Sequence, residues 1–489
     1  MSGQDQLEHH GDARRRRLRC SRRRFLETGA ASALIANAQP FPSFAQTSDE
    51  ISLTAAPSMV SLVGESYPST EVWAFNGQVP GPVVRKRRGE RLEITVTNDL
   101  PEPTTVHWHG LRVPVGMDGV PYISQPPIAP GETFRYAFDL EDAGTFWYHP
   151  HINSSEQVGR GLYGALIVEE EDAPEVDREL LWLLDDWRLD PEARIAPFGV
   201  MHDASHAGRI GNSATINGRI REVENVQAGE RIRLRLINAA NARVFGLDFR
   251  DLDPWIIALD GQPTEPHRLD GTKLTLGPGM RADLILDMVG EPGSETLLVD
   301  GHYGAERAYE LIRFAYSEQA PMRDAMPLPP KALSPNPIAE PDLDNAERHR
   351  FVFEGGAMGG MRGAMMGGRM MDLRDLAAKG RLWAINGKVP GDLYREPPLL
   401  RTALGSSHVI ELVNRTAFEH PIHLHGHGFR ILSRNGLPAE HRPFADTVLL
   451  GVDETIEIAL VTDNPGKWMF HCHILEHQAS GMMGIVQVG

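Results

Sequence analysis

An all-β chain of three tandem β-sandwich domains is the fold class that this sequence predicts, on three observations. First, one module recurs three times. "VWAFNGQVPGPVVRKRRGERLEITVTNDL" begins at Val72, "SATINGRIREVENVQAGERIRLRLINAA" at Ser213 and "RLWAINGKVPGDLYREPP" at Arg381. Each copy carries an Asn-Gly turn, at Asn76, Asn217 and Asn386. Second, the first two copies pass through a Gly-Glu-Arg turn into the alternating runs "RLEITVTN" and "RIRLRLIN", and the third reaches its counterpart in "HVIELVN". Alternation of this kind reads as half-buried antiparallel sheet. Third, 489 residues exceed what one core accommodates, and 48 Gly with 36 Pro suit many short strands joined by turns.

Taken in chain order, residues 1–45 read as an export leader. "RRRRLRCSRRRFLETGAASALIANAQPFPSFAQ" has a basic start, a short apolar run and small residues at Ser43 and Ala45, and "SRRRFL" fits the twin-arginine variety. The expected partner is the twin-arginine export machinery and the expected location the periplasm. No run is long enough for a membrane span. The leader carries eight arginines against four acids, so the remainder is still more acidic than the whole chain at −17. That charge makes nucleic acid an unfavourable partner and suits metal cations or neutral organic molecules. Cys20 leaves with the leader, so Cys472 stays alone and no internal disulfide forms. A first domain is expected over 46–172, a second over 173–316, a Pro-rich linker over 317–350 and a third domain over 351–489.

The copies differ where chemistry would reside. Aligned on the asparagines that end the alternating strands, Asn98, Asn238 and Asn414, the first copy has His107 and His109, and the third has His423 and His425. The second has Leu247 and Phe249 at those places. Later, "GTFWYHPH" and "GKWMFHCH" superimpose, pairing His149 with His471, His151 with His473 and Pro150 with Cys472. On a strand each H-x-H sends both imidazoles to one side. Eight imidazoles from matching places in two related domains converge only at the interface between those domains. Cys472 then points the other way, into its own domain, toward His420, His477 and Met482. Two imidazoles, a thiolate and a weak thioether are the ligand set of a blue-copper electron-transfer site. The first domain has Thr104, Pro150, Ser155 and Arg160 instead. Met483 competes with Met482 for the thioether role.

"HWHG", "WYHPH", "HPIHLHGH" and "HCHILEHQASGM" together resemble the copper signatures of three-domain multicopper oxidases, the laccase family, and the similarity spans the chain after the leader. The resemblance implies three tandem cupredoxin-like Greek-key β-sandwiches and four copper ions. By position, His420, Cys472, His477 and Met482 would hold the type 1 copper, and His107 and His423 the type 2 copper. His109, His149, His151, His425, His471 and His473 would hold the type 3 pair, while His427 is no ligand. The activity implied is one-electron oxidation of a donor at the type 1 site, with four electrons reducing O2 to water. Asp118, in the loop after "HWHG", occupies the family's place for a proton-delivering carboxylate. Many bacterial members have a second acid directly after the type 1 histidine, where this chain has Gln478.

The donor is read from "EGGAMGGMRGAMMGGRMMDL". Met358, Met361, Met365, Met366, Met370 and Met371 lie among glycines, which disfavours a packed helix. The segment 358–371 reads either as a Gly-rich mobile loop or as thioethers collecting Cu(I). The second reading resembles the Met-rich insert of exported copper-tolerance oxidases, although theirs often contain histidines. Only Glu419 stands as an acid before His420. Cu(I) and small phenolic or aromatic donors are therefore both expected substrates, with copper tolerance as the role. The alternatives are a laccase-like phenol oxidase, a copper-storage binder and a copper-free relative serving cell division. A monomer is expected.

Overall fold

The computed structural model describes residues 51–269, 271 and 273–489; the leader read at residues 1–45 lies outside them. Two sheets enclose one apolar core in each third of the chain. In the first, the sheet ordered Thr70–Phe75, Ile51–Val60, Arg91–Asn98, Thr133–Asp139 faces the sheet ordered Val84–Arg87, Gly164–Glu169, Gly144–His149, His107–His109. Leu53, Phe75, Ile94, Tyr136, Trp108 and Leu166 meet between them. The second third pairs a six-stranded with a five-stranded sheet, and the last a seven-stranded with a five-stranded sheet. Among the described residues no helix is long and apolar enough to cross a membrane.

The repeat is visible in the backbone. Asn76, Asn217 and Asn386 all have positive φ, as do the glycines that follow them, which is the paired left-handed geometry of a type I′ turn. Each asparagine side chain also clamps the strand that opens its domain. Asn76 Oδ1 accepts from Thr54 N–H at 2.7 Å, Asn217 Oδ1 from Leu183 N–H at 2.8 Å and Asn386 Oδ1 from Val352 N–H at 2.8 Å.

Two expectations change. The alternating strands are not purely antiparallel: Arg91–Asn98, Arg231–Asn238 and Ser406–Asn414 each run parallel to the strand that opens the domain and antiparallel to a later one. Nor is Arg231–Asn238 half-exposed, since all eight residues are buried. Its arginine face is covered by the first domain, where Arg233 meets Glu170 at 2.6 Å and Arg235 donates to the Thr145 hydroxyl at 2.9 Å. Polar alternation there encodes an interface between domains.

The Pro-rich run lies against the domains it joins, with Asn336 bonded to Ala143 O and Gln262 Oε1 at 2.8 and 2.9 Å. The Met-rich segment is more ordered than a loop. Gly363–Met366 and Arg369–Asp372 form an antiparallel hairpin, followed by the short helix Leu373–Ala378, whose first turn is capped by Asp372 accepting from Asp375 N–H at 2.8 Å. Gly367 and Gly368 sit at the hairpin tip, both at positive φ, and make its turn.

Candidate metal centres

Two antiparallel strand pairs carry the histidines. His107–His109 lies beside Gly144–His149 with His107 opposite His149, and His420–Leu424 lies beside Gly466–Cys472 with His423 opposite His471. Across the domains His107 stacks on His425 and His109 on His423, both at 3.8 Å between ring centroids. His151 meets His471 at 5.3 Å and His149 meets His473 at 5.2 Å. Exchanging the domains carries His107 to His423 and His109 to His425, so each contact maps onto its mate. This is the reciprocity of a two-fold interface, built within one chain. Leu247 and Phe249 lie instead in the second domain's own apolar core.

Seven of the eight rings are oriented by a hydrogen bond at the nitrogen that faces away from the cluster. His107 Nδ1 bonds Asp118 O at 2.8 Å, His423 Nδ1 bonds Asp446 O at 2.9 Å, and His471 Nδ1 bonds Cys472 O at 2.9 Å. His149 Nδ1 bonds Pro150 O at 3.2 Å. His109 is reversed, with Nε2 toward Asp446 Oδ1 at 3.1 Å. The opposite nitrogens, His107 Nε2, His109 Nδ1, His149 Nε2, His151 Nε2 and His423 Nε2, are buried without a hydrogen-bond partner, as are both nitrogens of His473. His425 Nε2 and His471 Nε2 lie 3.1 Å apart. Burial lowers the pKa of His109, His149, His151, His425, His471 and His473 well below the ordinary value, so these rings are neutral. A buried set of inward lone pairs is costly unless a cation uses it. Neutral imidazoles with their outer nitrogens fixed are the donor set that a copper cluster requires.

A second cluster lies on the far side of Cys472. Its Sγ is 3.5 Å from His420 Nδ1 and 3.8 Å from His477 Nδ1, and the two nitrogens are 3.1 Å apart. Tautomers are again set from behind. His477 Nε2 donates to His206 O at 2.5 Å. The Thr416 hydroxyl donates to Asn414 Oδ1 at 2.8 Å, so it accepts from His420 Nε2 at 2.7 Å. Burial raises the Cys472 thiol pKa and pushes His477 down to about 3, so without a cation the thiol stays protonated and inert. Ile474 N–H points at Sγ at 3.4 Å, a donor suited to thiolate. Met482 is fully buried in the same core, and Met483, partly exposed, faces a groove shared with Met365. The donors fit a soft cation.

Asp118 is fully buried, its carboxylate 3.0 Å from His425 Nδ1 and 3.2 Å from His107 Nδ1. Gln478 bonds Ser154 Oγ at 2.8 Å and approaches His151 Nδ1 at 3.4 Å. His427 is buried, with Nδ1 on His425 O. Of the six methionines, Met361, Met366 and Met371 pack on Ala364, Leu376, Ala384 and Val389, while Met358 and Met370 are exposed.

The sequence reading missed the group that ties the second domain to the cluster. Arg281 donates to both carboxylate oxygens of Asp446, at 2.7 and 2.6 Å, and Asp446 in turn holds His109 by its side chain and His423 by its carbonyl. Asp260 accepts from Thr447 N–H at 3.0 Å and Arg281 N–H at 2.9 Å. Burial works to raise the Asp446 pKa, and the Arg281 charge overrides it and holds the carboxylate far below its usual range. Gly110 of "HWHG" is glycine for the same reason, because a Cβ there would strike the Arg281–Asp446 pair. Gly279 lets the second domain approach the cluster, since a Cβ would lie 2.8 Å from His473 and 3.0 Å from His109. No spacing rule marks these residues, because their partners lie in other domains.

Family models described as multicopper oxidase match residues 58–173, 178–310 and 369–489. The crystal structure of a multicopper oxidase from Pseudomonas thermotolerans is 38% identical, covering 90% of this chain and 99% of that one with a TM-score of 0.78. A multicopper oxidase of Mycobacterium tuberculosis is 29% identical over 88% of this chain and 85% of its own. A laccase-like multicopper oxidase from Ochrobactrum sp., described as acting on lignin model compounds and lignosulfonate, is 28% identical. It covers 91% of this chain and 98% of its own, with a TM-score of 0.76.

Proposed function

The chain belongs to the multicopper oxidase family, oxidoreductases built of cupredoxin-like β-sandwiches, and from that premise we propose that it is an exported Cu(I) oxidase serving copper tolerance. Four coppers are assigned to it. His420, Cys472, His477 and Met482 would hold the type 1 ion, His107 and His423 the type 2 ion, and His109, His149, His151, His425, His471 and His473 the type 3 pair. Bound copper supplies one-electron acceptance from the donor and four-electron reduction of O2 to water.

The chain's own residues do the rest. Cys472 is covalently continuous with His471 and His473, so backbone bonds join the two clusters. The Asp118 carboxyl group, within 3.2 Å of His107 and His425 ring nitrogens, stands one hydrogen bond from the histidine cluster, placed to relay protons to it. Gln478 cannot ionise, so either Asp118 carries more of the proton delivery or another acid contributes. The buried rings exclude bulk water.

One observation carries the choice of donor: the His477 edge is covered. His206 O caps Nε2, Trp383 packs on the ring at 4.2 Å and donates to Ala204 O, and the Met-rich segment is bonded to the same short helix, Met201–Ser205, by Ala357 N–H to Ser205 O at 2.7 Å. Cover of this kind suits a small ion passed between thioethers better than a bulky phenol. Replacing Met358, Met361, Met365, Met366, Met370 and Met371 with serine should cut Cu(I) turnover at least tenfold and leave phenol turnover unchanged or faster. Equal Cu(I) turnover by variant and parent makes a laccase-like phenol oxidase the better description, the reading that the Ochrobactrum relative favours. The twin-arginine leader and the periplasm, supported by "SRRRFL" and the basic start, complete the proposal, with a monomer as the expected state.

A further inference from the structure

At the end of strand Glu347–Gly355 remote from the Met-rich segment, three side chains with metal-ligating atoms meet outside both clusters. His349 Nε2 lies 3.0 Å from His408 Nδ1, and Glu347 Oε2 lies 3.8 Å from the first and 4.0 Å from the second. Glu347 and His349 share one face of strand Glu347–Gly355, and His408 stands on the neighbouring parallel strand, opposite Glu347.

The tautomer of His408 follows from its surroundings. The Ser406 hydroxyl donates its proton to Ala403 O at 2.6 Å, so it accepts from His408 Nε2–H at 2.7 Å. His408 Nδ1 is therefore a lone pair, aimed at the same point as the His349 ring and the Glu347 carboxylate. Burial lowers the pKa of both imidazoles, so both are neutral. The flanking cations do not neutralise this spot: Arg348 pairs with Glu457 at 3.0 Å and Arg350 with Glu411 at 2.8 Å.

We propose that Glu347, His349 and His408 form a divalent transition-metal site of the Zn2+ class, separate from the copper centres. A tetrahedral ion with nitrogen and oxygen ligands at about 2.0–2.2 Å spaces its donors by roughly 3.3–3.6 Å. The three separations here need shifts of a few tenths of an ångström. The Ser406 hydroxyl supplies the outer hydrogen bond that orients a ligating imidazole. Partly exposed His349 (21 %) and exposed Glu347 leave a path for the ion and for solvent as a further ligand. The ion would staple the start of the third domain's first strand to Ser406–Asn414. The linker reaches the same strand, with Asp342 N–H donating to Ser407 Oγ at 2.9 Å.

The test titrates the copper-loaded protein with Zn2+ and compares Glu347→Gln, at an exposed side chain, and His349→Gln, with the fold of each checked by circular dichroism. The parent should take up one Zn2+ that each variant binds at least tenfold more weakly, with unchanged oxidase turnover. Zinc-edge X-ray absorption of the parent should show two imidazoles in the shell, and Zn2+ should raise the parent's Tm only. No zinc uptake by the parent, or equal affinity in parent and variants, overturns the site and reduces the contact to a hydrogen bond between neutral rings.

Discussion

Asp118 touches one histidine from each half of the eight-ring cluster, through His107 and His425, and it is fully buried. Asp118→Asn keeps the shape and removes a group able to relay protons. Reoxidation of the reduced protein by O2 should slow by about 10²-fold or more, as for a lost general acid, while reduction by the donor is unchanged. Stopped-flow measurement of the two half-reactions separates them. Arg281 is the other residue on which the cluster depends. Arg281→Met leaves Asp446 buried without its counter-charge, which should cost about 3–5 kcal/mol. Its pH dependence has a definite sign. Asp446 is held below its unfolded value, so its contribution is present above about pH 4 and is lost as the pH falls through the folded value. The deficit of the variant should therefore be largest at neutral pH and shrink on acidification, measured by urea unfolding of the copper-free proteins.

Among the elements, the three Asn-Gly turns do the same work in each domain, so one of them can be tested alone. Asn386 sits at φ 52° and bonds both Val352 N–H and Arg350 O. Asn386→Ala should cost about 1–3 kcal/mol, from left-handed backbone strain and the lost clamp. Asn386→Gly keeps the backbone and loses only the clamp, so its cost should be about 1 kcal/mol. A glycine variant as unstable as the alanine variant would shift the explanation from φ to the side chain. The Met-rich element shows the opposite relation between sequence and form. Its glycines supply the tip of a hairpin, and three of its methionines are partly spent on packing against Leu376 and Val389. Met358 and Met370 are therefore the thioethers most open to an incoming ion.

At the scale of the molecule, the eight-histidine cluster proposed to hold copper is divided between domains that also pack on each other. Binding to the folded state alone stabilises it by about 4 kcal/mol for an ion at a thousandfold its Kd. For ions held by the eight-histidine cluster, that gain would belong to the interface of the first and third domains. Removing copper with a chelator should lower Tm and speed amide exchange in His107–His109, Gly144–His149 and His420–Leu424. The five-stranded sheet of the second domain, Val223–Val226 to Leu274–Leu276, should exchange at its former rate. Equal loosening of all three domains would mean that the ions act on global stability and not on the interface.

The sequence by itself determined what is periodic or local. The Asn-Gly turns were legible because φ > 0 at two successive residues restricts residue choice, and the H-x-H pairs because period two sends both rings one way. Cys472 between His471 and His473 was legible for the same reason: its neighbours face one cluster, so it faces the other. What only the tertiary structure decided lies between distant segments. The Arg281–Asp446–His109 relay spans three domains, and the full burial of Arg231–Asn238 depends on a partner sheet. The cap on His477 is a backbone carbonyl, His206 O, which every residue type possesses. The physical reason is common to all three. A side-chain period records which way a residue faces within its own element, whereas hydrogen-bond partners and burial are set by whatever surface the folded chain brings opposite.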